Sequence, residues 1–290
     1  QLDRSWIESV LFPLCDQLRE TSTHEQTLAR RSLYCLFYEP SFLTRTSFER
    51  AIGLLGGTAY HTEDASQFFP VTTPNYVDNI ISILASLQID LVVLRSSDIG
   101  VIDRAAEADA VPIINGGSLE DHPTQALADI CTLTRDLGGV DGIRVAVVGR
   151  LEHRNVSALL KGLALFNDVK VTLIPFSGQA DPDVVSYCED RGMELVATAD
   201  VEAVTDVDAI YLNAPRTVAH AQLLKSRGAL TVRIDEEFMS KLKPNCVILD
   251  PMQRSGDFAV EVRDSRLAFY RQAENALYVR MALLLKMLGG

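Results

Sequence analysis

The sequence predicts an α/β protein built as two doubly wound parallel-sheet domains, and three observations carry that expectation. Short apolar runs rich in β-branched residues alternate with helix-length amphipathic segments. The runs are continuously apolar rather than alternating, as strands buried on both faces must be. A glycine-rich break, Leu137-Gly138-Gly139-Val140-Asp141-Gly142, splits the 290 residues into two halves of similar size.

The strand candidates are Leu33–Tyr38, Asp90–Leu94, Val111–Asn115, Arg144–Gly149, Val169–Pro175, Ala209–Asn213 and Cys246–Asp250. Helices are expected between them at about Thr46–Leu55, Asn75–Leu87, Thr124–Asp136, Val156–Phe166, Asp181–Arg191 and Asp235–Leu242. The final segment, Gln272–Leu288, reads as a long apolar-striped helix with no strand after it, free to pack back on the first domain. The expected division is therefore residues 1–136 with 270–290, and residues 137–269.

Composition narrows the function classes. Hydrophobic residues make up 47% and charged residues 23%, typical of a soluble protein with a sizeable core. The net charge is −12 and no dense Lys/Arg cluster occurs, which argues against nucleic-acid or membrane partners. No run approaches the roughly 18 apolar residues of a membrane span, and the first residues do not read as a signal peptide. The five scattered cysteines lack metal or disulfide spacing and fit buried free thiols in a reducing, cytoplasmic compartment.

Three stretches carry a resemblance. Phe37-Tyr38-Glu39-Pro40-Ser41-Phe42-Leu43-Thr44-Arg45-Thr46-Ser47-Phe48-Glu49 resembles F-[FY]-E-x-S-T-R-T-R-x-S-F-E. His122-Pro123-Thr124-Gln125-Ala126-Leu127-Ala128-Asp129 matches H-P-T-Q-x-L-x-D. The third runs from Tyr270 to Leu284 and is very close to a C-terminal helix of the same family. Together, in this order and at these separations, they resemble the aspartate/ornithine carbamoyltransferases, most of all the aspartate branch. The resemblance implies a carbamoyl-phosphate domain closed by the C-terminal helix, an amino-acid domain, and a homotrimer with active sites at subunit interfaces. It implies no metal or organic cofactor. The reaction it implies is attack of an amino-acid amine on the carbamoyl carbon, with phosphate leaving.

Such an enzyme must hold a dianionic phosphate, polarise a carbonyl that becomes an oxyanion, and orient a dicarboxylate amine. In the phosphate cradle, Ser41, Thr44 and Arg45 match the family, but Phe42 replaces a Thr and Leu43 the phosphate-binding Arg. Both replacements are bulky and apolar, and are expected to occupy the phosphate's space. Ser41 and Thr44 read equally well as N-capping residues of the following helix. The Ser and Lys that a neighbouring chain's loop would supply fall near Pro70 and Pro74, and no Lys occurs between Arg50 and Lys161.

The carbonyl end is better kept, with Arg95 at a strand end and His122 and Gln125 around the Pro123 helix start. All three are expected to aim donors at a carbonyl oxygen, with Thr44 beside them; the alternative for His122 is a capping role. On the amino-acid side, Asn155 stands where the family has an α-carboxylate Arg, with Arg154 next to it. Ala214 and Arg216 replace an Arg and a Gln, and a late loop reads Asp250-Pro251-Met252-Gln253-Arg254, with Asp250 in place of a His. Ser41, Arg154, Arg216, Met252 and Arg254 are thus the candidate substrate contacts.

A charge-assisted hydrogen bond to phosphate or carboxylate contributes about 1.5–3 kcal/mol. Losing the cradle Arg, the loop Lys and one carboxylate Arg costs about 5–8 kcal/mol, a factor of about 10⁴–10⁶ in transition-state stabilisation. Three readings follow, the last two sharing the same retained residues. One is a trimeric scaffold or regulatory homologue, associated with a pyrimidine-pathway enzyme, that lacks normal carbamoyl-aspartate synthesis. The others are an enzyme with a changed substrate and a small-molecule binder without chemistry, both keeping Arg95, His122 and Gln125. A pocket filled by Phe42, Leu43 and Met252 favours the first, and one left open and polar favours the other two.

Overall fold

The computed structural model describes residues 2–21, 26–62, 64–67, 76–213, 234–251 and 262–289. The chain forms two compact α/β units, residues 1–124 with 274–290, and residues 125–273.

In the first unit, four parallel strands lie in the order β2-β1-β3-β4: β1 (Ser32–Phe37), β2 (Thr58–Thr62), β3 (Leu91–Arg95) and β4 (Ile113–Asn115). The central strands β1 and β3 are the most apolar and the most buried, because helices cover both of their faces. The helices are α1 (Phe12–Glu20), α2 (Phe42–Leu54), α3 (Tyr76–Ser86) and α4 (Val101–Glu107). A core of Leu36, Val77, Ile81, Val92, Leu94 and Val101 packs α3 and α4 against one face of the sheet.

The second unit holds five parallel strands in the order β7-β6-β5-β8-β9: β5 (Arg144–Arg150), β6 (Lys170–Ser177), β7 (Glu194–Ala197), β8 (Ala209–Asn213) and β9 (Val247–Leu249). Helix α5 (Pro123–Leu137) leads into the glycine-rich break, and α6 (Arg154–Leu163), α7 (Pro182–Glu189) and α8 (Glu236–Lys241) follow. The last helix, α9 (Phe269–Leu288), contributes its residues from Glu274 onward to the first unit. There Arg19 pairs with Glu274 at 2.8 Å and lies 4.3 Å over the Tyr278 ring. The fully buried Arg280 donates to Ser47 and stacks 5.1 Å over Phe48 on α2. The end of α9 thus fixes the helix that carries Thr44.

Every apolar run read as a strand contains one, and each joins a parallel sheet, β4 and β9 at an edge and the others inside. The expectation omitted β2 and β7, one of the two edge strands of each sheet, because their exposed positions replace the apolar signature with polar residues such as Thr58, His61 and Glu194. It also omitted α1 and α4. Helix α2 starts at Phe42 rather than near Thr46, which places Thr44 inside its first turn. No described helix is long and apolar enough to cross a membrane. The five cysteines are all buried free thiols.

Candidate active site

Within the first unit, three sequence-predicted residues converge where β1 and β3 end. The parallel register pairs Phe37 with Arg95, so the segment after β1 and the last residue of β3 emerge side by side. Tyr38 continues the ladder by donating its N–H to the Arg95 carbonyl at 2.9 Å. Arg95 is 7% exposed, and its Nη1 donates to the Gly116 carbonyl at 3.1 Å. Its Nε lies 3.8 Å from Glu39 Oε2, while Ser97 donates to the other oxygen of the same carboxylate. The buried cation therefore has an opposite charge at one edge and a carbonyl at another, as its desolvation requires.

His122 precedes α5, with its backbone N–H capped by the Asp121 carboxylate at 2.8 Å. Its Nε2 lies 3.3 Å from Thr44 Oγ1 and 3.5 Å from Arg95 Nη1. A guanidinium N–H and a hydroxyl O–H are both donors, so Nε2 is the acceptor end of the ring in this arrangement. Arg95 and Thr44 are thereby the donor groups of the cluster, and His122 orients them. Space for this is left by Gly117, whose φ is +124°; a Cβ there would meet Arg95 Nη1 at 2.6 Å and His122 Cδ2 at 3.4 Å.

The phosphate-cradle positions depart from expectation. Phe42, expected to occupy the phosphate's space, is instead the first residue of α2 and 70% exposed. Leu43 is half-buried. Ser41 takes the extended N-cap conformation, φ −150° and ψ 107°, yet its side chain makes no capping hydrogen bond. The capping reading of Ser41 therefore fails, and α2 begins without a side-chain cap.

Within the second unit, Gln125 was expected to aim donors at a carbonyl oxygen. Its amide nitrogen instead donates to Asp129 Oδ1 at 2.8 Å, one helical turn along α5. Asp129 is completely buried and also accepts from Gln272 Nε2 at 2.7 Å and from the Tyr211 hydroxyl at 2.9 Å. Burial and the adjacent Asp129 charge push the Tyr211 hydroxyl well above its ordinary pKa. Sequence reasoning missed this hub. The four-residue spacing of Gln125 and Asp129 was its only local signal, since Tyr211 and Gln272 are distant in sequence.

Arg154 and Asn155 are both buried at the start of α6, after β5, with His153 as the N-cap accepting from the Asn155 N–H at 3.3 Å. Asp250 is buried, and its N–H donates to Gln272 Oε1 at 2.9 Å. Asn213, at the end of β8, donates to the Arg150 carbonyl at 2.7 Å. The candidates Arg216, Met252 and Arg254, with Ala214, Gln253, Pro70 and Pro74, lie outside the described residues.

Two parallel-sheet α/β units with polar side chains at the carboxyl ends of their strands define a doubly wound α/β architecture, in which ligands bind at those strand ends. The sequence comparisons make the class specific. A model of the "Aspartate/ornithine carbamoyltransferase, carbamoyl-P binding domain" matches residues 2–135, and one of the "Asp/Orn binding domain" matches residues 141–287. The chain belongs to the aspartate/ornithine carbamoyltransferase family. It is 33% identical to a chloroplastic aspartate carbamoyltransferase of Pisum sativum, over 100% of this chain and 77% of that protein. It is also 33% identical to an aspartate carbamoyltransferase catalytic subunit of Cenarchaeum symbiosum, over 98% of this chain and 93% of that one. Among solved structures, aspartate transcarbamoylase from Trypanosoma cruzi in complex with carbamoyl phosphate and aspartate superposes with a TM-score of 0.85. The two share 26% identity, over 98% of this chain and 93% of that one.

Proposed function

We propose that this aspartate-carbamoyltransferase-like chain binds a small carbonyl-bearing molecule through Thr44 and Arg95, but grips phosphate and aspartate poorly and makes carbamoyl aspartate far more slowly than its named relatives. The observation behind this reading is the Thr44–His122–Arg95 cluster, intact beside a helix N-terminus whose Phe42 stands in solvent. The Arg95 N–H groups are suited to a carbonyl oxygen as charge builds on it, and the Thr44 hydroxyl can add its single O–H only by turning it from His122 Nε2. At the phosphate end, Leu43 supplies no charge, and the backbone N–H groups at the start of α2, with Ser41, are left to meet an anion. Family membership supports a homotrimer and catalysis without a metal or organic cofactor.

The exposed Phe42 favours this reading over that of a scaffold with a plugged pocket, because its ring does not supply the apolar filling expected of it. Absence of two phosphate-binding cations costs about 3–6 kcal/mol, or about 10²–10⁴-fold in affinity. The test is calorimetric titration with carbamoyl phosphate and with a phosphonoacetyl-aspartate bisubstrate analogue, alongside the Cenarchaeum symbiosum catalytic subunit and a carbamoyl-transfer assay on both. Weak, millimolar carbamoyl phosphate binding with little turnover is expected. Micromolar binding with turnover within tenfold of the relative would refute the impaired site, and no heat with either ligand would favour the scaffold.

A further inference from the structure

We infer that the second unit carries a binding site for a small aromatic monocarboxylate, in a cavity of about 420 Å³ beside the first residues of α9. Its walls are Val262, Arg263, Asp264, Leu267, Phe269 and Tyr270. None of these is a member of the Thr44–His122–Arg95 cluster or a candidate substrate contact, so the site does not depend on the function proposed above. The volume lies in the roughly 300–1,000 Å³ range of small-molecule sites.

The walls are held from behind. Arg266 grips the Asp264 carboxylate with two N–H groups, Nε at 3.0 Å and Nη2 at 2.7 Å, one on each oxygen. Its Nη1 reaches the carbonyls of Met239 at 2.9 Å and Lys243 at 3.3 Å, at and just past the end of α8. Ile248 donates its N–H to the Arg266 carbonyl at 2.8 Å, and the Ala268 N–H returns to the Ile248 carbonyl at 2.9 Å. Residues 264–268 are thereby laced to β9, and Val262 and Leu267 pack on the core of the unit. A ligand entering this cavity has little of the wall left to order, which favours binding.

The charges and rings select the ligand. Two arginines and one carboxylate meet here, and the carboxylate is committed to Arg266. Arg263 is exposed and has no hydrogen bond or ion pair among the described residues, so its guanidinium is the uncommitted charge of the cavity. A planar guanidinium matches a carboxylate with two parallel hydrogen bonds. Asp264 lies in the same wall and repels a second negative charge, which disfavours phosphate dianions and dicarboxylates such as aspartate. The remaining surface is apolar and aromatic: Phe269 is 8% exposed, whereas Tyr270 has 76% of its surface in water and is available to cover a ligand ring. Aromatic rings pack edge-to-face or offset against such side chains. An amine in place of the carboxylate would set like charge against Arg263.

The test is titration of the full chain with phenylacetate, followed by ligand-observed NMR, with phenethylamine as the charge-reversed control. Millimolar binding of the acid is expected, and binding of the amine at least tenfold weaker. Arg263→Gln should weaken the acid by about tenfold or more, the size of one charge-assisted contact. Arg191→Gln removes an exposed arginine that stacks on Tyr187 elsewhere in the unit, and should leave binding within about twofold. Saturating L-aspartate should not displace the probe. Thermal unfolding of each variant checks that it is folded. Equal affinity for acid and amine, a folded Arg263→Gln protein that binds like the wild type, or displacement by aspartate would each overturn the inference. So would an absence of binding at tens of millimolar phenylacetate.

Discussion

Rebuilding the phosphate cradle is the most direct test of why this site should be weak. The double substitution Phe42→Thr with Leu43→Arg restores the family's side chains at the start of α2. The structure indicates that the change is tolerable: Phe42 has most of its ring in water and Leu43 is only half-buried, so little apolar burial is lost. The gain is one charge-assisted contact of about 1.5–3 kcal/mol, aided by the N-terminal dipole of a thirteen-residue helix. At about 1.4 kcal/mol per decade, that predicts carbamoyl phosphate binding roughly 10–150-fold tighter. Calorimetry of wild type, double variant and the Phe42→Thr single variant separates the contributions. The single variant adds no charge and should stay within about twofold of wild type. The gain should shrink as salt is raised, because the new contact is ionic. A folded double variant that binds carbamoyl phosphate within threefold of wild type would refute the claim that the missing arginine limits this site.

Three further outcomes are expected. Gly117→Ala forces a Cβ into Arg95 and strains a backbone at φ +124°, so it should lower carbonyl-ligand affinity by at least tenfold and stability by about 1–3 kcal/mol, measured by titration and urea unfolding. The five cysteines should be silent to a thiol reagent in the native protein at pH 8 and all react in denaturant. Burial pushes Cys35, Cys188 and Cys246 up to about 12, and one fast-reacting native thiol would contradict the packing. Burial tends to raise the Asp90 pKa, but hydrogen bonds from Arg31 and Ser32 outweigh it and hold the carboxyl below its ordinary value of 3.8. Its contribution is therefore present above that value and lost as pH falls through the lowered one. Asp90→Asn should be less stable at neutral pH and should lose less on acidification below about pH 4; an identical acid profile would show the pair to be unimportant.

The sequence by itself determined the layered α/β class, the interior strands and the family. Each rests on local chemistry: continuous apolar runs demand burial on both faces, and the three motifs lie in unbroken stretches of chain. The edge strands β4 and β9 were legible because they are apolar, whereas the edge strands β2 and β7 were not, because their exposed positions carry polar residues. Thr44, Arg95 and His122 could each be named from motifs, but their convergence depended on the parallel register that sets Phe37 beside Arg95. Phe42 shows the limit most clearly. Its bulk and apolar type predicted that it would fill the phosphate's space, whereas its helix-start position decided that the ring stands in solvent. The Asp129 hub was likewise invisible, since two of its three named partners lie more than eighty residues away in sequence. A side chain's chemistry is fixed by its residue type, but which acceptor the Gln125 amide meets depends on what tertiary packing brings against it.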